Sequence, residues 1–190
     1  MATQPGPSGT VVVSTVGRRR LPGWVWAAIV LFILLVVVWL VSLLMLPGLQ
    51  QAAIQGNEAS AIGFVRSVAS AEQLAAQFNQ GYFLPVSCLT DPTQCPPAVA
   101  TTPLLGTTLT DSYSMYFVVT EAATPEEIAA KGLSANSAKK WTLVVLPRQP
   151  GVTGTRVFCT DTSGGVFYTP DDKTLPDTTG GRCGNASPLQ

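Results

Sequence analysis

The chain has 190 residues with 11 basic and 11 acidic side chains, so its formal net charge is zero. Only 12% of the residues are charged and 46% are hydrophobic, so the chain lacks the basic surface that nucleic-acid binding requires. Histidine is absent, which removes the commonest general base and the commonest metal ligand. Composition therefore argues against a nucleic-acid-binding protein and against most enzyme chemistry.

The N-terminal part contains one long uncharged stretch, from Leu21 to Leu46. It exceeds the roughly 20 apolar residues that a membrane-spanning helix needs, and it is longer than the apolar region of a cleaved signal peptide. A buried core helix is the other alternative, but core helices keep a polar edge. Because basic residues flanking a span stay in the cytoplasm, Arg18 to Arg20 set its orientation. We expect residues 1–20 to be a disordered cytoplasmic tail, residues 21–47 a transmembrane helix, and the remainder to lie outside the membrane.

A helical pattern continues beyond the membrane segment, through residues 48–81. Pro47 and Gly48 interrupt the transition, where proline can kink a helix. Gly81 is predicted to end the helix as its left-handed cap. Beyond Pro47, apolar residues recur at steps of three and four, which is typical of one helix face that needs burial: Ala61, Phe64, Val68, Ala71, Ala75 and Phe78.

Residues 82–190 change to short β-like runs separated by loops rich in proline and glycine. Thr124, Pro125 and Glu127 form a capping box that predicts a short helix ended by Gly132. We therefore expect an α+β protein in which a small antiparallel sheet packs on the outer half of the long helix. The sequence predicts four strands, at residues 113–120, 141–146, 156–160 and 165–168.

Four cysteines follow the membrane segment, and four cysteines allow three pairings. An oxidising compartment favours disulfides. The pairs Cys88–Cys95 and Cys159–Cys183 are preferred because each closes a local loop. A zinc site would need closely spaced pairs such as C-x-x-C, which the sequence lacks.

Several short stretches occur in order between residues 46 and 168. They are Leu46-Pro47-Gly48-Leu49, Asn57 to Gly63 (NEASAIG), Ser70-Ala71-Glu72, Gly81-Tyr82, the Cys88 to Cys95 loop, and Pro150 to Gly164. Together they resemble the type IV pilin and major pseudopilin family of bacteria, which includes the pseudopilins of type II secretion. The resemblance implies a structural subunit or membrane-anchored component of a pilus or secretion apparatus, held in the bacterial inner membrane. It also implies other pilin-like subunits as partners.

The front of the chain departs from that family's pattern. Members carry a Gly-Phe junction that prepilin peptidase cuts, and a glutamate just inside the hydrophobic segment. Aligning on Pro47 places Val25 and Trp26 at the junction and Val30 at the glutamate. The departure suggests an unprocessed membrane anchor. The alternative is a membrane-tethered binding or sensor module on a pilin-like fold that does not assemble into filaments.

Two sequence features suggest an enzymatic or a metal-binding site. Ser137 to Lys140 match the S-x-x-K pattern of penicillin-recognising enzymes, but the companion motifs S-D-N and K-T-G are absent. Calcium is the one cofactor that stays open, although no EF-hand spacing is present and solvated turns are the simpler interpretation. We expect no enzyme activity. The candidate calcium ligands are Asp161, Asp171 and Asp172, with Asp177 nearby.

Overall fold

A computed structural model describes residues 22–91, 93 and 103–189 of the chain. Its first element is the helix α1, Gly23–Phe78. The chain divides into two compact units between Met45 and Leu46. The described part of the first unit is the apolar beginning of α1, and the second unit holds the rest of α1 together with the other described elements.

Five strands of the described chain form one antiparallel sheet in the order β1-β2-β3-β4-β5. The four predicted strands are present and the α+β prediction is confirmed. The fifth strand, only two residues long, carries no hydrophobic alternation that could have predicted it. The strands are β1 Tyr113–Ala122, β2 Ala138–Pro147, β3 Val157–Asp161, β4 Val166–Thr169 and β5 Ser187–Pro188.

Two short helices and a 3-10 turn complete the described elements. They are α2 Val86–Thr90, α3 Pro125–Lys131, and the turn Thr179–Gly181. The predicted capping box of α3 is confirmed, because Glu127 N donates to Thr124 Oγ1 and Thr124 N donates to a Glu127 carboxylate oxygen. The helix ends at Gly132, as predicted, and this glycine has a positive φ of 63°.

The C-terminus of α1 differs by one position from the prediction. The helix ends at Phe78, and Gln80 takes the left-handed conformation with φ 53°, ahead of Gly81 with φ 86°. Gly81 N donates to Ala76 O, which is the long bond of a Schellman motif. Gln80 therefore occupies the position that the sequence assigned to Gly81.

The core lies between α1 and one face of the sheet. Ala61, Val65 and Val68 on α1 are fully buried, as are Trp141 and Leu143 on β2. The prediction that Phe78 shares this face is wrong, because its side chain is 60% exposed. Each residue advances about 100° around a helix, so Phe78 lies about 100° away from Ala61 despite the steps of three and four between them.

Candidate functional site: the two faces of the outer helix

The beginning of α1 is a membrane-length apolar helix with exposed side chains. It is a candidate membrane span by length and composition, in the part of the chain that the structure describes. Trp24, Trp26 and Trp39 are 74%, 60% and 63% exposed. Large apolar side chains open to solvent over such a length require an apolar environment, a lipid bilayer or other helices, to cover them.

Within the second unit, α1 carries small side chains on the face turned away from the sheet. We call this the open face, and it consists of Gly48, Ala52, Gly56, Ser60, Gly63, Ser67 and Ser70. A Cβ atom added at Gly48, Gly56 or Gly63 would meet no atom within 4 Å in the described chain, apart from the backbone of its own helix turn. Leu74 and Phe78, 40% and 60% exposed, continue the same line towards the helix end. Small residues along one line allow the backbone of another helix to approach closely.

The opposite face of α1 is held to the sheet at one end by Glu58, which is only 4% exposed. Its Oε1 accepts hydrogen bonds from Thr155 N, Thr155 Oγ1 and Arg156 N at 2.9, 2.8 and 3.2 Å. Its Oε2 accepts from Arg156 Nε at 2.8 Å and pairs with Nη2 at 2.6 Å. Burial alone would raise the pKa of Glu58, but these hydrogen bonds outweigh it and hold the pKa below its usual value.

The loop that supplies these donors is fixed by close packing. Gly154 lies so near the buried Tyr113 that an added Cβ would overlap the Tyr113 hydroxyl. Asn57 Nδ2 donates to Thr153 O at 3.0 Å, beside the bonds of Glu58. The Arg156 guanidinium also lies over the ring of Phe158, 5.6 Å from its centroid. The β2–β3 loop is therefore held against α1 by an ion pair, hydrogen bonds and close packing.

A second glutamate, Glu72, lies at the other end of the buried face and is fully buried. Its Oε2 accepts one hydrogen bond, from Leu84 N at 3.0 Å, and its Oε1 has no partner in the described chain. Burial raises the pKa of Glu72 to about 8 against the opposing bond from Leu84, and no ion pair in the described residues offsets it. The carboxyl is therefore mostly protonated and neutral at neutral pH.

Three other buried polar side-chain atoms have no hydrogen-bond partner in the described chain, namely Trp141 Nε1, Thr142 Oγ1 and Thr160 Oγ1. The Phe83 ring contacts the Trp141 ring at 5.9 Å, and the next residue, Leu84, is the donor to Glu72. Segment 83–84 therefore bridges Glu72 and Trp141.

Of the two predicted disulfides, the structure contains Cys159–Cys183. It ties β3 to the segment before β5, beside the buried Val144 and Val157. The Cys88–Cys95 prediction lies outside the described residues, because Cys95 does.

Two of the candidate calcium ligands, Asp161 and Asp171, accept hydrogen bonds from within the protein. Asp161 Oδ1 accepts from Ser163 N and Oγ, and its Oδ2 accepts from Cys183 N at 2.9 Å. Asp171 Oδ1 accepts from the backbone of Lys173 and Thr174. In the described ranges, Asp161, Asp171 and Asp172 do not join a group of three or more side chains able to hold a metal ion.

The S-x-x-K motif is divided between two structural contacts. Ser137 is buried, and its hydroxyl accepts a hydrogen bond from Asn79 Nδ2 at 2.9 Å. Lys140 forms an ion pair with Glu121 at 2.8 Å. Ser137 and Lys140 therefore bond to different partners, Asn79 and Glu121, rather than to each other.

Sequence reasoning missed that Glu58 and Glu72 are buried. The signal was present, because Glu58 stands three residues before Ala61, and Glu72 stands four residues after Val68 and three before Ala75. Both therefore occupy the phase of the apolar stripe.

No protein-family model, curated protein or solved structure matches the chain.

Proposed function

We propose that the chain is a pilin-like structural subunit, or a membrane-anchored component, of a type IV pilus or type II secretion-type apparatus. The observation that carries the proposal is the difference between the two faces of α1. One face is buried on the sheet, while the open face is lined by small residues with free space above each glycine. Such a face suits close packing against a helix of another subunit, and the sheet domain would then face outward.

The membrane orientation is part of the same proposal. The basic residues Arg18 to Arg20 precede the apolar segment and favour a cytoplasmic N-terminus. The disulfide Cys159–Cys183 supports an oxidising compartment for the C-terminal domain, periplasmic or extracellular. A membrane-impermeant protease added to intact spheroplasts should digest the C-terminal domain and leave an epitope tag on the N-terminus intact. The reverse pattern would contradict this orientation.

Cysteine cross-linking tests the packing proposal directly. We expect Ser60→Cys, on the open face, to give disulfide-linked dimers in native membranes under mild oxidation. Val152→Cys is the matched control, because Val152 is 64% exposed but lies in the β2–β3 loop rather than on α1. Dimers from Ser60→Cys alone support subunit packing through α1. Equal yields from both variants, or none from Ser60→Cys, would contradict it.

A membrane-tethered module that stays outside filaments is the second candidate. Val25, Trp26 and Val30 favour it, because they stand where the pilin family has its cleavage junction and glutamate. Intact mass of the membrane-extracted protein decides whether about 25 residues are removed, as the alignment on Pro47 implies for a processed pilin. Immunogold labelling of sheared surface filaments separates the candidates, since a tethered module leaves filaments unlabelled and stays in the membrane fraction.

A further inference from the structure

A second feature lies on the other side of the sheet from α1, next to the disulfide Cys159–Cys183. It is a groove of about 530 Å³, within the size range of small-molecule sites. The groove is lined by Asp161, Thr162, Ser163, Phe167, Arg182, Cys183 and Gly184.

The two walls of this groove are fixed to each other. Cys183 is tied to β3 by the disulfide, and its backbone N donates to Asp161 Oδ2 at 2.9 Å. Thr162 Oγ1 donates to Gly181 O at 3.2 Å, which joins the walls at a further point. A groove held at three points keeps its shape without a ligand, which lowers the entropy lost on binding.

Arg182 is the cation of this groove, and its guanidinium has no hydrogen bond or ion pair in the described chain. Three cations of the sheet itself or its β2–β3 loop are, by contrast, paired with carboxylates. Lys139 and Lys140 pair with glutamates, and Arg156 pairs with Glu58. An arginine that lines a groove with all five N–H donors free is suited to a carboxylate, which it binds through two parallel hydrogen bonds.

The other residues that line the groove indicate what the uncharged part of the ligand should be. Asp161 forms no ion pair with Arg182 in the described chain, and its carboxylate accepts hydrogen bonds from Ser163 and Cys183. The partly buried ring of Phe167 supplies an apolar wall. A groove lined by both an aromatic ring and a guanidinium favours a ligand with a planar apolar body and one negative charge.

We propose that this groove is a binding site for small aromatic or otherwise planar carboxylates, with Arg182 as the residue that recognises the charge. The site is separate from the open face of α1, none of whose residues lines the groove. The same chain could therefore assemble through its helix and bind an anion on its outer domain.

The test uses the full chain in lipid nanodiscs, titrated with sodium benzoate in a calorimeter, with empty nanodiscs as the blank. We expect saturable binding by the native protein and at least tenfold weaker binding by Arg182→Gln. Lys173→Gln is the matched control, because Lys173 is an exposed cation of the same region that does not line the groove. It should bind benzoate within twofold of the native protein.

Benzamide, the neutral analogue of the same shape, should bind at least tenfold more weakly than benzoate. The proposal is overturned if benzoate shows no saturation up to about 10 mM, or if Arg182→Gln binds it as tightly as Lys173→Gln does. Arg182 is exposed, so its replacement should leave the melting temperature unchanged. Arg182→Lys should restore part of the affinity, since it keeps the charge and loses the paired donors.

Discussion

Each end of the buried face of α1 carries a glutamate next to a side-chain amide, but the two glutamates have different partners. Asn57 and Glu58 stand at one end, and Glu72 and Gln73 at the other. Both amides donate to backbone carbonyls on either side of β3, Asn57 to Thr153 O and Gln73 to Thr162 O. The glutamates differ, because Glu58 has a cation and several donors while Glu72 has one backbone donor and no cation.

The difference shows how burial and partners decide the charge of a carboxyl. Both side chains are removed from water, and burial alone favours the neutral form of each. The bonds from Thr155 and Arg156 reverse that preference at Glu58, whereas the single bond from Leu84 does not reverse it at Glu72. One end of the buried face of α1 is therefore held by an ion pair and the other by an uncharged carboxylic acid.

The largest expected effect concerns pH and Glu72. Burial raises its folded pKa to about 8 from an ordinary 4.5, so between these values the folded protein holds a proton that the unfolded chain has released. Its contribution to the free energy of unfolding is full below pH 4.5 and falls as pH rises to about 8, by about 1.4 kcal/mol per unit. Glu72→Gln should lack this slope, so its stability should exceed that of the native protein by about 4 kcal/mol more at pH 8 than at pH 5.

Urea unfolding of both proteins across this pH range measures the difference directly. Glu58, whose pKa is lowered, contributes stability above its unfolded pKa and loses it as pH falls, which is the opposite sign. Both proteins retain Glu58, so its effect cancels when they are subtracted. Parallel curves for the two proteins would show that Glu72 is charged when folded.

The second prediction removes the cation at the other end. Arg156→Met leaves Glu58 buried and charged with only the donors of Thr155 and the residue 156 backbone, and should lower the free energy of unfolding by about 3 kcal/mol near neutral pH. The loss should shrink in acid, where Glu58 becomes protonated. Denaturant unfolding of Arg156→Met, Glu58→Gln and the double variant tests the coupling. Losses that simply add would mean that the pair contributes no interaction energy.

How far the sequence predicts these features depends on how local their causes are. The capping box at Thr124 and the helix end at Gly132 involve neighbouring residues, and both were predicted. Glu58 and Glu72 lie in phase with the apolar stripe. Their partners Thr155, Arg156 and Leu84 are not neighbours in sequence, so the charge state of each carboxyl could not be predicted.

The same reasoning applies to the helix end and the groove. Steps of three and four predict Phe78 in the core, but the rotation summed over them places it about 100° around the helix from Ala61. The groove at Arg182 forms only when β3 and the segment near Cys183 meet through the disulfide and Asp161. The pairing of Cys159 with Cys183 was predicted, but the side chains that it gathers belong to no sequence motif.

The third prediction tests the shape of the loop that holds Glu58. Gly154→Ala places a Cβ against the hydroxyl of the buried Tyr113, and should lower the free energy of unfolding by about 2 kcal/mol. Gly106→Ala is the control, since an added Cβ there meets nothing within 4 Å, and its effect should stay below about 0.5 kcal/mol. Tyr113→Phe removes the overlapping hydroxyl and should recover part of the loss when combined with Gly154→Ala. Equal effects of the two alanine variants in thermal unfolding would contradict this packing.

The smallest expected effects come from the two amides, and they separate helix anchoring from carboxyl chemistry. The bond from Asn57 to Thr153 O is 3.0 Å long and partly buried, whereas that from Gln73 to Thr162 O is 3.3 Å and exposed. Asn57→Ala should lower the free energy of unfolding by about 1 kcal/mol and Gln73→Ala by about half as much, because water replaces an exposed bond more easily. Neither loss should change with pH, unlike those at Glu58 and Glu72. A pH-dependent loss in Gln73→Ala would mean that Gln73 helps to keep Glu72 neutral, and that the end of α1 near β3 is held by a coupled pair.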